Sequence, residues 1–192
     1  MHNEITLIVG KLGCGKTTLA RKAVQNFEKN ILVITNFGQD FLGLPICENL
    51  SGIIEYDIAV FVNDDSTTNE IAIRYSYERG NGLLIVDEAH LYQDSEQLKK
   101  VIRYSRHKNL DIILISHSFF DFARLNRQLI HNVIVFQMTE PYELSYVERI
   151  NSEVNPRNLQ NYEFIVVQGQ IPKWLSKKDL TFKEKICKLK LK

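Results

Sequence analysis

Short apolar runs alternate with longer amphipathic stretches along the first 150 or so residues, and the two periods separate strands from helices. Ile5–Val9, Ile31–Ile34, Ile58–Val62, Leu83–Val86, Ile112–Ile115 and Val133–Gln137 are short, apolar and rich in β-branched side chains, so they are expected as strands. Several are apolar throughout, as a parallel strand covered on both faces must be. Between them, Lys16–Glu28, Thr67–Arg79, Ser95–His107, Phe120–Ile130 and Glu143–Asn151 space their apolar residues as helices do. The alternation predicts an α/β domain, a mainly parallel sheet with helices on both faces. Val9, Val86 and Ile115 each end an apolar run and lead straight into polar residues. In open parallel sheets the carboxyl ends of the strands carry the ligand.

Two regions break this rhythm. Residues 36–57 lack clear periodicity and read as a long connection, with Phe41, Leu42 and Leu44 expected to pack down. Beyond residue 151, Phe164–Val167 and Ile171–Leu175 flank Gly169 and are expected to form a small C-terminal β-hairpin ahead of a basic tail, with Pro156 and Pro172 marking breaks. The expected organisation is a core over residues 1–151 and a C-terminal extension over 152–192, in a length that suits one domain.

The first strand delivers the chain to Gly10-Lys11-Leu12-Gly13-Cys14-Gly15-Lys16-Thr17-Thr18, a complete G-x-x-x-x-G-K-T phosphate-binding loop with a helix after it. Backbone N–H groups of such a loop wrap a polyphosphate, and the helix adds the positive end of its dipole. Lys16 supplies a point charge for the β- and γ-phosphates, and the Thr17 hydroxyl suits a Mg²⁺ shell. Further on, Leu83–Val86 ends in Asp87 and Glu88. Asp87 at the strand tip is placed to hold Mg²⁺ through water, and Glu88 to polarise a water for in-line attack on a γ-phosphate. An acid beside the metal-holding Asp points to hydrolysis rather than transfer to another acceptor. The string Asp87-Glu88-Ala89-His90 also matches one large helicase group, but those need a second recombinase-like domain that 192 residues cannot hold, so His90 reads as an ordinary loop residue.

Arg103-Tyr104-Ser105-Arg106-His107 closes a helix just before the strand that ends in Ser116-His117-Ser118. In additional-strand ATPases a polar side chain at that tip sits beside the γ-phosphate and can report its presence, which makes His117 the candidate sensor. Arg106 lies at the start of the strand, away from the loops, and is the candidate arginine finger toward a neighbouring subunit, with Arg79, Arg124 and Arg127 as rivals. The Arg106-His107 pair, the polar tip, and Val135-Phe136-Gln137-Met138-Thr139-Glu140-Pro141-Tyr142-Glu143-Leu144 resemble the FtsK–HerA superfamily, and within it the genome-packaging ATPases of membrane-containing icosahedral viruses such as archaeal turreted viruses. The family usually places Gln where this chain has His117. The resemblance implies an additional-strand, RecA-like P-loop ATPase core. It further implies ATP and Mg²⁺ as ligands, a homo-oligomeric, hexameric ring threading double-stranded DNA without reading its sequence, and capsid or membrane-vertex proteins as partners.

Charge and cysteines adjust this picture. Residues 173–192 hold eight lysines against Asp179 and Glu184, so a net +1 chain splits into a +6 tail and a −5 body. Such a tail suits phosphate backbones or an anionic membrane, and equally a solvated end. Cys14, Cys47 and Cys187 are odd in number and widely spaced, against a disulfide framework or a zinc site and in favour of a reducing compartment. No run approaches the roughly 20 apolar residues of a membrane span, and the first strand begins too early for a signal peptide. The location expected is the cytoplasm of an infected cell, with virion association. Two rivals remain: another P-loop ATPase, of the filamentous-phage assembly or secretion type or a single-stranded DNA motor, disfavoured by the missing span, and a nucleotide-binding scaffold without turnover, disfavoured by Glu88.

Overall fold

The computed structural model describes residues 3–27, 30–35, 41, 43–121, 127–150, 155–183 and 185–190. In chain order its elements are β1 (Ile5–Val9), α1 (Lys16–Asn26), β2 (Ile31–Thr35), β3 (Ile46–Cys47), α2 (Leu50–Glu55), β4 (Ile58–Val62), α3 (Ser66–Arg79) and β5 (Gly82–Val86). There follow α4 (Glu96–Tyr104), β6 (Leu110–Ser116), β7 (Asn132–Val135), α5 (Pro141–Ile150), β8 (Glu163–Gln168), β9 (Leu180–Lys183) and β10 (Ile186–Leu189). The described strands form one sheet in the order β3-β4-β2-β5-β6-β1-β7-β8-β10-β9. Pairing is parallel from β3 to β7 and antiparallel from β7 to β9. The α/β expectation holds.

The apolar runs explain the centre of the sheet. β1 is buried along its whole length between β6 and β7. Its alternate residues enter different cores: Leu7 and Val9 pack with α3, α4 and α5 on one face, while Ile8 packs with Leu19, Ala20 and Ala23 of α1 on the other. Asp65 and Ser95 cap α3 and α4, accepting hydrogen bonds from Thr68 N and Leu98 N.

Several boundaries differ from expectation. The stretch 36–57 contains β3 and α2, although residues 36–40 and Leu42 lie outside the described residues; Phe41 is buried. The Ser95–His107 helix ends at Tyr104 and tightens into a 3-10 turn over Ser105–Lys108. Residues 122–126 of the expected Phe120–Ile130 helix, Arg124 included, fall outside the described residues, and Phe119–Asp121 before them form a 3-10 turn. At the C-terminus Phe164–Val167 is a strand, but its neighbour is β10 rather than Ile171–Leu175. Pro172 lacks the N–H a ladder needs, and Trp174 and Leu175 instead bury against the α1 face. The terminal hairpin is β9–β10, built from the lysine-rich segment itself. Its apolar residues Leu180, Cys187 and Leu189 join the core beside α1, while Lys188 pairs with Glu163 at 3.4 Å and Lys190 donates to the Lys178 carbonyl at 3.0 Å.

The cysteines test this packing. Cys14, Cys47 and Cys187 are free and buried, and burial pushes each thiol above its ordinary range. The native chain is expected to show no fast-reacting thiol toward Ellman's reagent at mildly alkaline pH, and all three after denaturation. One stoichiometric fast thiol in the native state contradicts the core described here.

Candidate functional site

The site forms where β1, β5 and β6 end. Gly10 leaves β1 at φ 148°, and a Cβ there would come within 2.7 Å of Phe136 Cβ, so a side chain is shut out. The loop then turns into α1 at Gly15, which caps the helix in a left-handed conformation with no side-chain hydrogen bond to the first-turn amides. Those N–H groups are left for an anion.

Lys16 opens α1 and is only 6% exposed. Its ammonium donates to the carbonyls of Gly10 at 2.7 Å and Lys11 at 2.9 Å, and lies 3.3 Å from His117 Nδ1. Burial depresses its pKa, countered by Cys14, Glu88 and Asp87. An ammonium only donates, so Nδ1 of His117 accepts and its Nε2–H is left to donate. Nε2 lies 3.0 Å from Glu88 Oε2. One imidazole thus links the loop lysine to the acid on β5. His90 Nδ1 is 3.3 Å from the same oxygen, too poorly aligned for a hydrogen bond, and the two imidazole rings lie 5.5 Å apart. Glu88 holds this position at φ 50°, a left-handed conformation uncommon for a residue with a side chain.

Asp87 is 2% exposed and accepts the Glu88 N–H at 3.0 Å. Burial first, and then the Glu88 charge, raise its carboxyl above the usual range. A buried carboxylate short of positive charge, with the Thr17 hydroxyl in the same cleft, suits a hard divalent cation, so the donor set fits Mg²⁺. Among the described residues no cluster of three His, Cys, Asp or Glu could hold a metal alone, so such an ion would depend on phosphate oxygens.

The cleft itself measures about 340 Å³ and is lined by the loop from Leu12 to Thr18 except the buried Cys14, by Asp87 and Glu88, and by Tyr162. Sequence reasoning brought together Gly10–Thr18, Asp87, Glu88 and His117, and the structure gathers them around one cleft end. It missed His90 and Tyr162, whose approach depends on backbone conformations that no local motif announces. Arg106 stands apart, exposed in the turn before β6, with the length of that strand, roughly 20 Å, between it and His117. Of its rivals, Arg79 is engaged with Asp57 and the Tyr56 carbonyl, and Arg127 lies over the Phe120 ring at 5.1 Å.

The loop after β6 is held from two sides. Asp121 accepts from the Ser116 hydroxyl and from Ser118 N at 3.1 Å. Glu143, buried at the start of α5, accepts from Phe119 N at 3.2 Å and from the Ser118 hydroxyl. The Glu-Pro-x-Glu segment therefore fastens the loop that presents His117.

A phosphate loop on β1, separated from the acidic tip of β5 by β6, defines a P-loop NTPase of the additional-strand kind. The family model described as AAA domain matches residues 1–122, and the chain belongs to that family. Among solved structures it is similar to the genome packaging NTPase B204 from Sulfolobus turreted icosahedral virus 2. With ATP-gammaS bound, the match has 20% identity and a TM-score of 0.72, covering 85% of this chain and 91% of that chain. With AMPPCP bound it has 20% identity and a TM-score of 0.70, covering 86% and 92%. EccC (ATPases 2 and 3) from Thermomonospora curvata is similar at 12% identity and TM-score 0.58, over 97% of this chain and 37% of that one. No curated protein sequence matches. At these identities the likeness is one of fold, and it agrees with the resemblance read from the sequence. No helix among the described residues is long and apolar enough to cross a membrane.

Glu143 offers a stability test. Burial raises its carboxyl pKa, so the folded state is increasingly penalised as pH rises from the ordinary carboxylate range toward the raised value. Glu143→Gln keeps an acceptor for Phe119 N without that penalty, and its stability relative to the wild type is expected to improve over this rise. Glu143→Ala leaves the Phe119 N–H unpaired and is expected to lose about 1–3 kcal/mol in denaturant unfolding. An Ala variant as stable as the wild type contradicts the bracing role.

Proposed function

We propose that the chain is an ATP-hydrolysing motor that moves double-stranded DNA, and that its task is packaging a viral genome into a preformed capsid. Glu88, linked through His117 to Lys16 at the end of the phosphate cleft, carries the hydrolytic part of this reading. The task is supported by a fold likeness, over nearly the whole of both chains, to a protein described as a genome packaging NTPase and as a DNA-packaging ATPase.

In this reading the triphosphate of ATP lies along Gly10–Thr18 with its γ-phosphate toward Glu88. Thr17 and Asp87 would hold Mg²⁺, which would neutralise charge on the phosphates. Lys16 trades its His117 contact for a phosphate oxygen. Glu88 orients the attacking water and accepts its proton. His117, released by Lys16, turns its Nε2–H from Glu88 to a γ-phosphate oxygen, and so reports the phosphate by freeing Glu88 for the water. Arg106 of a neighbouring copy completes the site in a hexameric ring. DNA passes through the pore on sequence-independent phosphate contacts that weaken steeply with salt. Capsid or membrane-vertex proteins anchor the ring, which works in the cytoplasm of the infected cell and stays with the virion.

Two measurements test this. Glu88→Gln is expected to retain ATP while turnover falls about 10²–10⁴-fold; unchanged turnover rejects Glu88 as the base. The specific ATPase rate of the wild type is expected to rise with protein concentration and with added double-stranded DNA. A dilute monomer already at full rate excludes an arginine supplied in trans, and indifference to DNA at every concentration excludes the motor.

A further inference from the structure

The proposed ATP reading leaves the base unaccounted for, and we propose that Tyr162 is the platform on which it stacks. A nucleotide in this cleft has only one direction. Glu88 and His117 stand at the tips of β5 and β6, on one side of β1, and fix the γ-phosphate end. The base must therefore extend toward the other side, where β7 and β8 lie. Tyr162 immediately precedes β8, which runs antiparallel to β7, so the residue sits at the same edge of the sheet as the phosphate loop. It lines the same cleft and is the only aromatic side chain among its described lining residues.

Its placement is rigid. The Tyr162 N–H donates to the Cys14 carbonyl at 2.8 Å, and its own carbonyl accepts from Leu189 N at 3.0 Å. It adopts φ 67°, a left-handed conformation that a tyrosine keeps only when its surroundings impose it. The ring lies so close to Gly15 that a Cβ there would approach Tyr162 Cδ1 to 2.8 Å. A ring locked beside the last loop glycine loses little freedom when a base covers it, and stacking on it adds to phosphate binding.

The cleft also indicates what the platform does not do. Among the described lining residues the only carboxylates are Asp87 and Glu88, both committed to the phosphate end, and none is an Asn or Gln, the side chains best suited to reading the hydrogen-bonding edge of a base. Stacking accepts any π-face, so adenine and guanine nucleotides are expected to bind within about tenfold of each other.

Calorimetric titration of the full chain with a non-hydrolysed ATP analogue, its GTP counterpart and tripolyphosphate tests this. Tyr162→Ala is expected to weaken both nucleotides about tenfold and leave tripolyphosphate unchanged, while Tyr162→Phe stays within about twofold. Tyr162→Trp, which keeps a ring, is expected to change fluorescence with the nucleotides but not with tripolyphosphate. Equal weakening of tripolyphosphate reduces Tyr162 to a prop for the loop and overturns the proposal. So does unchanged nucleotide affinity in the Ala variant, a silent Trp variant, or a hundredfold preference for one base. A wild type that binds none of the three ligands rejects the nucleotide reading itself, which is a different failure.

Discussion

An ammonium group leaves water only when its N–H bonds meet acceptors, and the site follows from how that condition is met at Lys16. Two acceptors are local: the carbonyls of Gly10 and Lys11 turn inward because Gly10 adopts a backbone conformation that a side chain would block against Phe136. The third is His117, 101 residues away in sequence. It reaches Lys16 only because β6 lies directly beside β1, with Ser116 level with Val9. The imidazole then has one N–H remaining, and it meets Glu88 at the end of the next strand, β5. The strand order β5-β6-β1 and the sharing of one histidine between a cation and an acid are two aspects of the same packing.

This explains which features were legible in the sequence. The phosphate loop and Asp87-Glu88 are local: an apolar strand ends and the functional residues follow within a few positions. β1 and β4 could be bounded to the residue because a buried parallel strand is apolar throughout and stops where polarity returns. The C-terminal strands obey a different rule. β9 (Leu-Thr-Phe-Lys) and β10 (Ile-Cys-Lys-Leu) are short and mix apolar residues with lysines, so counting charge made them resemble a solvated tail. Ile171–Leu175 looked more strand-like by hydropathy alone, and its proline and its burial beside α1 decided otherwise. Register there depends on the pairing of Cys187 with Phe164, which no local pattern encodes.

His90 and Tyr162 were hidden for a related reason. Each is brought to the site by a residue with a side chain held at positive φ, Glu88 in one case and Tyr162 itself in the other. Such conformations are unfavourable locally and persist because the surrounding structure imposes them. A sequence displays local preference, so it is least informative where tertiary packing has overridden that preference. Both positions border the phosphate cleft, which is where strain of this kind tends to collect.

The polarity of the sheet also constrains any assembly in the proposed reading. Every parallel strand runs toward the end of the sheet that carries the cleft, so Arg106, placed before β6, is carried to the opposite end, roughly 20 Å from His117. If Arg106 completes a nucleotide site, that site belongs to another copy. A two-fold pair would have to fit both ends of the sheet into one self-complementary patch. A head-to-tail contact uses the two ends as separate surfaces and repeats, closing into a ring where the rotation closes and running on as a filament where it does not. In that reading an arginine in trans demands a head-to-tail contact because of the direction in which β6 runs, and the rotation between neighbours then decides whether the assembly is a ring.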